Sequence, residues 1–180
     1  MDCRPYEVTG KPIYSLTKCC VLSHGLENLS AYLTRNSLVQ AKTGTGKTTA
    51  FLLPAIQSIL QKSPPLGQVS ILIISPTREL TLQIAAEATQ LVSKMRRPIE
   101  VHTAFGGTAR GANLKKFMND DPKILVATPG RLNDYLGEID TRRKFNSLQT
   151  LILDEADAML EAGKGILTRF DYCFHDLTLQ

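Results

Sequence analysis

The chain is predicted to fold as an α/β protein, a mainly parallel sheet flanked by helices. Two observations carry that expectation. Short apolar runs recur along the 180 residues with helix-patterned stretches between them, and strands separated by helices join through right-handed crossovers into parallel sheets. A Gly-rich turn also separates the first of these runs from a helix opening at Lys47, and ligands of open α/β sheets bind at the carboxyl edge where such turns lie.

The elements follow in order. Residues 37–41 (Ser-Leu-Val-Gln-Ala) form the first strand-like run, and the helix from Lys47 comes after the Gly-rich turn. Ser63-Pro64-Pro65-Leu66-Gly67 is a loop signal, and the next strand-like run covers 71–75. Over 79–95, Leu80, Ile84, Ala88, Leu91 and Met95 recur at helical spacing on one face, which is a core face. A third strand is expected at 101–105, a fourth at 124–127 after the loop signal Asp120-Asp121-Pro122, and a fifth at 151–153. No internal repeat or low-complexity tract interrupts this alternation.

Composition narrows the class further. The length suits one sizeable core rather than two α/β domains of ordinary size. A hydrophobic share of 43% and a charged share of 21% describe a globular protein, and no apolar run approaches the ~18 residues that would cross a membrane. The N-terminus lacks the apolar segment and small-residue cleavage site of a secretory signal, and Asp2 and Glu7 argue against an organellar transit peptide. Cys3, Cys19, Cys20 and Cys173 form no C-x-x-C pair and have no His at ligand spacing, so reduced thiols are expected. The net charge of +4 is compatible with a polyanionic partner. The clusters Lys94-Met95-Arg96-Arg97 and Arg142-Arg143-Lys144 are expected to be solvated loop ends.

The chemistry lies in two stretches. Ala41-Lys42-Thr43-Gly44-Thr45-Gly46-Lys47-Thr48, with Thr49 following, is a phosphate loop in which Ala41 replaces the usual first Gly. Backbone amides at a turn and helix N-terminus converge on one point of partial positive charge, which suits a polyphosphate. Gly44 and Gly46 permit backbone conformations and close approaches that a Cβ would block. Lys47 has the reach for terminal phosphates, and the Thr48 hydroxyl is a magnesium ligand type. The second stretch is the strand at 151–153 running into Asp154, Glu155 and Asp157, which places carboxylates at the carboxyl edge of the sheet.

With the phosphate loop and Asp154-Glu155-Ala156-Asp157 together, the chain resembles the first RecA-like domain of DEAD-box RNA helicases. Pro76-Thr77-Arg78-Glu79-Leu80 with Gln83, the pair Gly106-Gly107, and Thr128-Pro129-Gly130-Arg131 also match that family in order, each after a strand-like run. The resemblance implies a phosphate-loop NTPase fold and ATP with Mg2+ as cofactors. Lys47 and the loop amides would hold the phosphates, Thr48 and Asp154 would organise the metal, and Glu155 would position or deprotonate the attacking water. Asp157 would connect the site to neighbouring motifs. It further implies that Pro76, Thr77, Arg78, Gly106, Gly107, Thr128, Pro129, Gly130 and Arg131 line an RNA path. Contacts of this kind go to the sugar-phosphate backbone and carry no sequence preference.

The resemblance spans 37–163. Residues 1–36 are expected to be a divergent segment without the Gln-containing adenine motif, since no Gln precedes Gln40 and no Phe precedes Phe51. Residues 164–180 are expected to be a divergent tail without the Ser-Ala-Thr motif, so the domain is read as truncated before that strand. In RecA-like sheets that strand lies between those carrying the phosphate loop and the acidic motif. Marginal folding is therefore expected unless the tail inserts a substitute, because each unpaired buried backbone group costs about 1–3 kcal/mol. The leading function is ATP-dependent RNA helicase activity, carried by an incomplete first domain that needs a second RecA-like domain. The alternative is a non-enzymatic nucleotide- or RNA-binding fragment. A GTPase is disfavoured by the absence of an [NT]-K-x-D signature. An intracellular location is expected, with nucleus, cytoplasm and mitochondrion not distinguished.

Overall fold

The computed structural model describes residues 46–107 and 109–161. Their elements run α1 (Lys47–Lys62), β1 (Ile71–Ile74), α2 (Arg78–Ser93), β2 (Glu100–Ala104), α3 (Arg110–Asn119), β3 (Pro122–Ala127), α4 (Pro129–Leu136), α5 (Ile139–Arg143), β4 (Thr150–Leu153) and α6 (Ala156–Glu161). The four strands form one sheet in the order β2-β3-β1-β4, parallel throughout. This is the α/β sheet that the alternation of apolar runs predicts. The expected strand at 37–41, the loop residues Ala41, Lys42, Thr43, Gly44 and Thr45, and the tail at 164–180 lie outside the described residues.

Every residue of β1 and β3 is buried, the signature of a parallel sheet covered on both faces. Because successive side chains of a strand point to opposite faces, Ile71 and Ile73 enter one core and Leu72 and Ile74 the other. The first core joins Ile71, Ile73, Ile124, Val126 and Ile152 to Phe51, Leu52 and Ile56 of α1 and Ile84 and Ala88 of α2. Leu80, Leu91 and Met95 pack against it from partly buried positions, so the expected helical face is observed. The second core joins Leu72, Ile74, Leu125 and Ala127 to Phe117, Leu132, Tyr135, Phe145 and Met159.

Local chemistry sets the element ends. Thr77 caps α2, its Oγ1 accepting from the Leu80 amide at 3.2 Å, and Pro129 takes the first-turn position of α4, where its missing N–H removes a group already without a helical partner. β3 begins at Pro122, a residue expected in the loop, opposite a bulge between Glu100 and Val101.

One cluster expected to be solvated is not. Lys144 is buried, and its ammonium donates to the carbonyls of Phe117 and Asp120, both at 2.7 Å, while lying 5.1 Å from the Phe117 ring centre. Arg142 is half-buried and its Nε donates to the Leu136 carbonyl at 3.1 Å. Only Arg143 of that triplet is exposed. A buried ammonium is tolerated where carbonyl oxygens replace its lost hydration, an arrangement that a count of charges cannot reveal. The other cluster behaves as expected, with Lys94, Arg96 and Arg97 all exposed.

His102 on β2 is buried against Phe117, with ring centres 5.2 Å apart, and its Nε2 lies 3.4 Å from the Tyr135 hydroxyl. Burial, reinforced by Lys116 and Lys144 and opposed by Asp120, lowers its pKa from 6.5 to about 4. The unfolded chain therefore binds a proton that the folded chain rejects between these values. This contribution to stability is complete above pH 6.5 and is lost as pH falls towards 4, a swing on the order of 3 kcal/mol. Urea denaturation at a series of pH values should show wild-type stability falling faster across this window than that of His102→Phe. Parallel pH profiles for the two proteins would show that His102 is not the titrating group.

Candidate functional site

The strand registers bring the predicted motifs to one edge. Ile74 is level with Ala127 and with Leu153, and Ala127 is level with Ala104. The chain therefore leaves the sheet along one row, at Ser75, Thr128, Phe105 and Asp154. Backbone hydrogen bonds carry the ladder one step past the strands: Ser75 N to Ala127 O at 3.1 Å, Thr128 N to Ala104 O at 2.9 Å and Asp154 N to Ile74 O at 2.9 Å. Pro76, Thr77, Arg78, Gly106, Gly107, Thr128, Pro129, Gly130, Arg131, Asp154 and Glu155 all stand on or beside this rim.

At its acidic end, α1 opens after Gly46, which has φ 79° and provides no side chain to cap the first-turn amides. Those amides point out of the helix with the positive end of its dipole. Lys47 and Thr48 are half-buried there. The Asp154 carboxyl has its pKa raised by burial, and the Lys47 charge works against that rise while Glu155 and Asp157 add to it. The Lys47 and Asp154 charges therefore lie near enough to interact. Glu155 is exposed and holds φ 53°, in the left-handed region, which costs a side-chain-bearing residue roughly 1–2 kcal/mol. That turn lets the chain pass from β4 into α6 with Asp154 and Glu155 adjacent at the edge. Thr49 Oγ1 donates to Glu87 Oε1 of α2, tying the two helices beside the loop. Among the described residues no group of three or more His, Cys, Asp and Glu is arranged to hold a metal ion.

The other end of the rim holds the predicted arginines in unlike settings. Arg78 is exposed, and its guanidinium carbon lies 4.9 Å from the centre of the Phe105 ring. Arg131 is 7% exposed, its Nε donating to the Phe105 carbonyl at 3.2 Å. Gly106, Gly107, Thr77 and Gly130 are exposed, Pro76 and Thr128 half-buried, and Pro129 buried. Behind Thr77, the Ser75 and Thr81 hydroxyls are 2.7 Å apart and Thr81 Oγ1 donates to the Thr77 carbonyl at 2.8 Å, which fixes the turn entering α2. Glu87 and Phe105 were not marked by the sequence as parts of the site. Phe105 read only as a strand end, and Glu87 only as a polar position of an amphipathic helix.

Comparison with known proteins agrees with this arrangement. The sequence model of the DEAD/DEAH box helicase family matches residues 26–176. The mitochondrial ATP-dependent RNA helicase MSS116 of Phaeosphaeria nodorum is 59% identical over 132 residues, covering 73% of this chain and 24% of that protein. The solved structure of Mss116p bound to ssRNA and AMP-PNP superposes with a TM-score of 0.71 at 34% identity, over 77% of this chain and 28% of that one. Mss116 bound to ssRNA and UDP-BeF superposes at 0.66 and 35% identity, over 74% and 26% of the respective chains. The chain thus spans about a quarter of the length of these relatives. Its parallel sheet, its rim of ordered motifs and the extent of the family match together establish that it has a RecA-like fold and belongs to the DEAD/DEAH box helicase family.

Proposed function

We propose that the chain supplies the first RecA-like domain of an ATP-dependent RNA helicase. The observation that carries this reading is the single rim with Lys47 and Asp154 near one end and Arg78, Gly107 and Thr128 at the other. Two polyanion-binding faces on one sheet edge suit a protein that holds nucleotide and RNA together. ATP with magnesium fits the residues present, because Mg2+ takes one or two protein oxygens beside substrate phosphates and water, and Thr48 and Asp154 supply that number. Bound there, magnesium would neutralise charge on the transferred phosphoryl group.

The chain's own residues have distinct tasks in this reading. The amides at the start of α1 and the Lys47 ammonium hold the phosphates, and Asp154, whose pKa burial raises against the opposing Lys47 charge, is the carboxyl placed to meet the metal. Glu155, exposed at its turn, orients the water. Arg78, Thr77 and the backbone of Gly106 and Gly107 meet RNA phosphates. Arg131 serves that face indirectly, since its buried guanidinium braces the Phe105 carbonyl. ATP turnover needs a second RecA-like domain, which would add the opposing cationic face. The relative from Phaeosphaeria nodorum is named as mitochondrial, and we propose the same compartment here, to be checked by imaging a tagged protein against a mitochondrial marker.

Nucleotide binding by this chain should depend on phosphate more than on base. A solved neighbour, Mss116, has UDP-BeF bound, and the groups this chain places at the site, the α1 amides and Lys47, are phosphate-directed. Titration of the full chain with fluorescent ATP and GTP should give similar affinities, both largely lost in Lys47→Ala. Strong ATP selectivity would reveal an adenine pocket, and unchanged affinity in Lys47→Ala would move the phosphate site elsewhere.

RNA binding should be independent of sequence and weaken with salt. Arg78→Ala is expected to lower affinity for unrelated single strands and to reduce the salt slope by about 0.7, one phosphate contact. Arg131→Ala should instead lower stability and leave that slope intact. A marked preference for one RNA sequence would contradict backbone readout.

Hydrolysis by the chain alone should be negligible, because a transition-state arginine from the opposing face is worth about 10³–10⁵ in rate in phosphate-loop enzymes. RNA-stimulated phosphate release by the isolated chain, abolished by Glu155→Gln, would overturn the requirement for a second domain.

A further inference from the structure

We propose that Phe105 is a positioning residue for the RNA face, an aromatic platform that holds the Arg78 guanidinium in its binding orientation. The inference rests on the reading that Arg78 contacts RNA phosphate. Phe105 is 7% exposed one residue past the end of β2, directly before the glycine pair. The Arg78 guanidinium carbon stands 4.9 Å from its ring centre. A guanidinium over an aromatic face is attracted by the ring quadrupole and can keep its N–H groups pointing outwards.

Three further observations bear on how the platform and the cation are held. Arg131 Nε donates to the Phe105 carbonyl at 3.2 Å, and the Thr128 amide donates to the carbonyl of the preceding Ala104 at 2.9 Å, so the start of α4 braces the backbone under the ring. Gly107 turns at φ +87°, and a Cβ placed on it would lie 3.4 Å from Arg78 Nη1. The guanidinium therefore lies over the ring and close against the Gly107 backbone. Arg78 meets the ring, Arg131 the Phe105 carbonyl, and Gly107 lies beside the Arg78 guanidinium, so three motifs gather around a residue that none of them contains.

An unanchored arginine samples many rotamers, and binding then has to order it. A side chain already held over a ring loses less freedom on contact with a phosphate. Phe105 acts on RNA affinity through Arg78 alone, and this distinguishes it from a residue that merely fills the core.

The test is a double-mutant cycle on the full chain, read by anisotropy of a fluorescent single-stranded oligouridylate. Phe105→Leu should weaken binding about two- to fivefold, the range of an exposed cation–aromatic contact, and Phe105→Tyr should retain wild-type affinity. In the Arg78→Ala background Phe105→Leu should have no further effect. The exposed variant Arg78→Lys, which keeps the charge but not the planar stack, should also lose affinity, and it serves should Phe105→Leu unfold. Wild-type affinity in Arg78→Ala would remove the reading of Arg78 as an RNA contact, and this inference with it. Weakened binding in Arg78→Ala, together with full additivity of the two changes or wild-type affinity in Arg78→Lys, would overturn the platform while leaving that reading in place.

Discussion

The common termination of four parallel strands is the constraint on which the site depends. Ile74, Ala127, Ala104 and Leu153 stand in one row across the sheet, so the residues that follow them emerge at one level. A slip of β3 by one residue would move Thr128 off that level and turn Leu125 and Val126 to the wrong faces. Both faces of β1 and β3 are packed, so either error would remove large apolar groups from both cores. The packing that stabilises the sheet therefore also enforces the alignment of its functional edge. Hydrogen bonds from Ser75, Thr128 and Asp154 extend the enforcement to the first residue beyond each strand.

That edge is where burial and charge meet. Asp154 is the first residue after β4, close enough to the core for burial to raise its pKa and close enough to Lys47 for a cation to oppose the rise. Glu155 is one residue further on and exposed. Adjacent carboxylates thus acquire unlike environments from a single step off the sheet, with a left-handed turn at Glu155 separating them. The opposite edge handles charge differently. There Lys123 donates to the carbonyl of Pro65 at 2.6 Å and to Asp121 at 2.8 Å, and Lys144 is satisfied by carbonyls, so these cations staple loops and leave no open charge for a ligand.

The two central described strands were legible because a parallel sheet buried on both faces demands continuous apolar runs, as Ile71-Leu72-Ile73-Ile74 and Ile124-Leu125-Val126-Ala127 supply. The placement of the motifs on one rim followed from their positions after such runs. What sequence could not supply was the environment of individual cations. Arg78 and Arg131 look alike in their motifs, yet one is exposed over an aromatic ring and the other is buried against a carbonyl. Lys144 sits in a basic triplet and is its buried member. These differences arise from side chains distant in sequence, Phe105 for both arginines and Phe117 and Asp120 for Lys144. No local period encodes such pairings.

The two ends of the rim are joined by more than the sheet. Helix α2 begins at Arg78, on the side proposed to meet RNA, and nine residues along it Glu87 receives the Thr49 hydroxyl beside Lys47 and Thr48. At 1.5 Å per residue these contacts are about 14 Å apart on one unbroken rod. The rod is packed onto the first core through Ile84, Ala88 and Val92, so its ends cannot shift independently without opening that core. A ligand that orders the Arg78 end therefore acts on an element that also contacts the phosphate-loop helix. Any coupling carried this way must be reciprocal, because the free energy linking two binding sites is the same in both directions. In the proposed reading the rim positions the two ligands, and α2 touches the site of each.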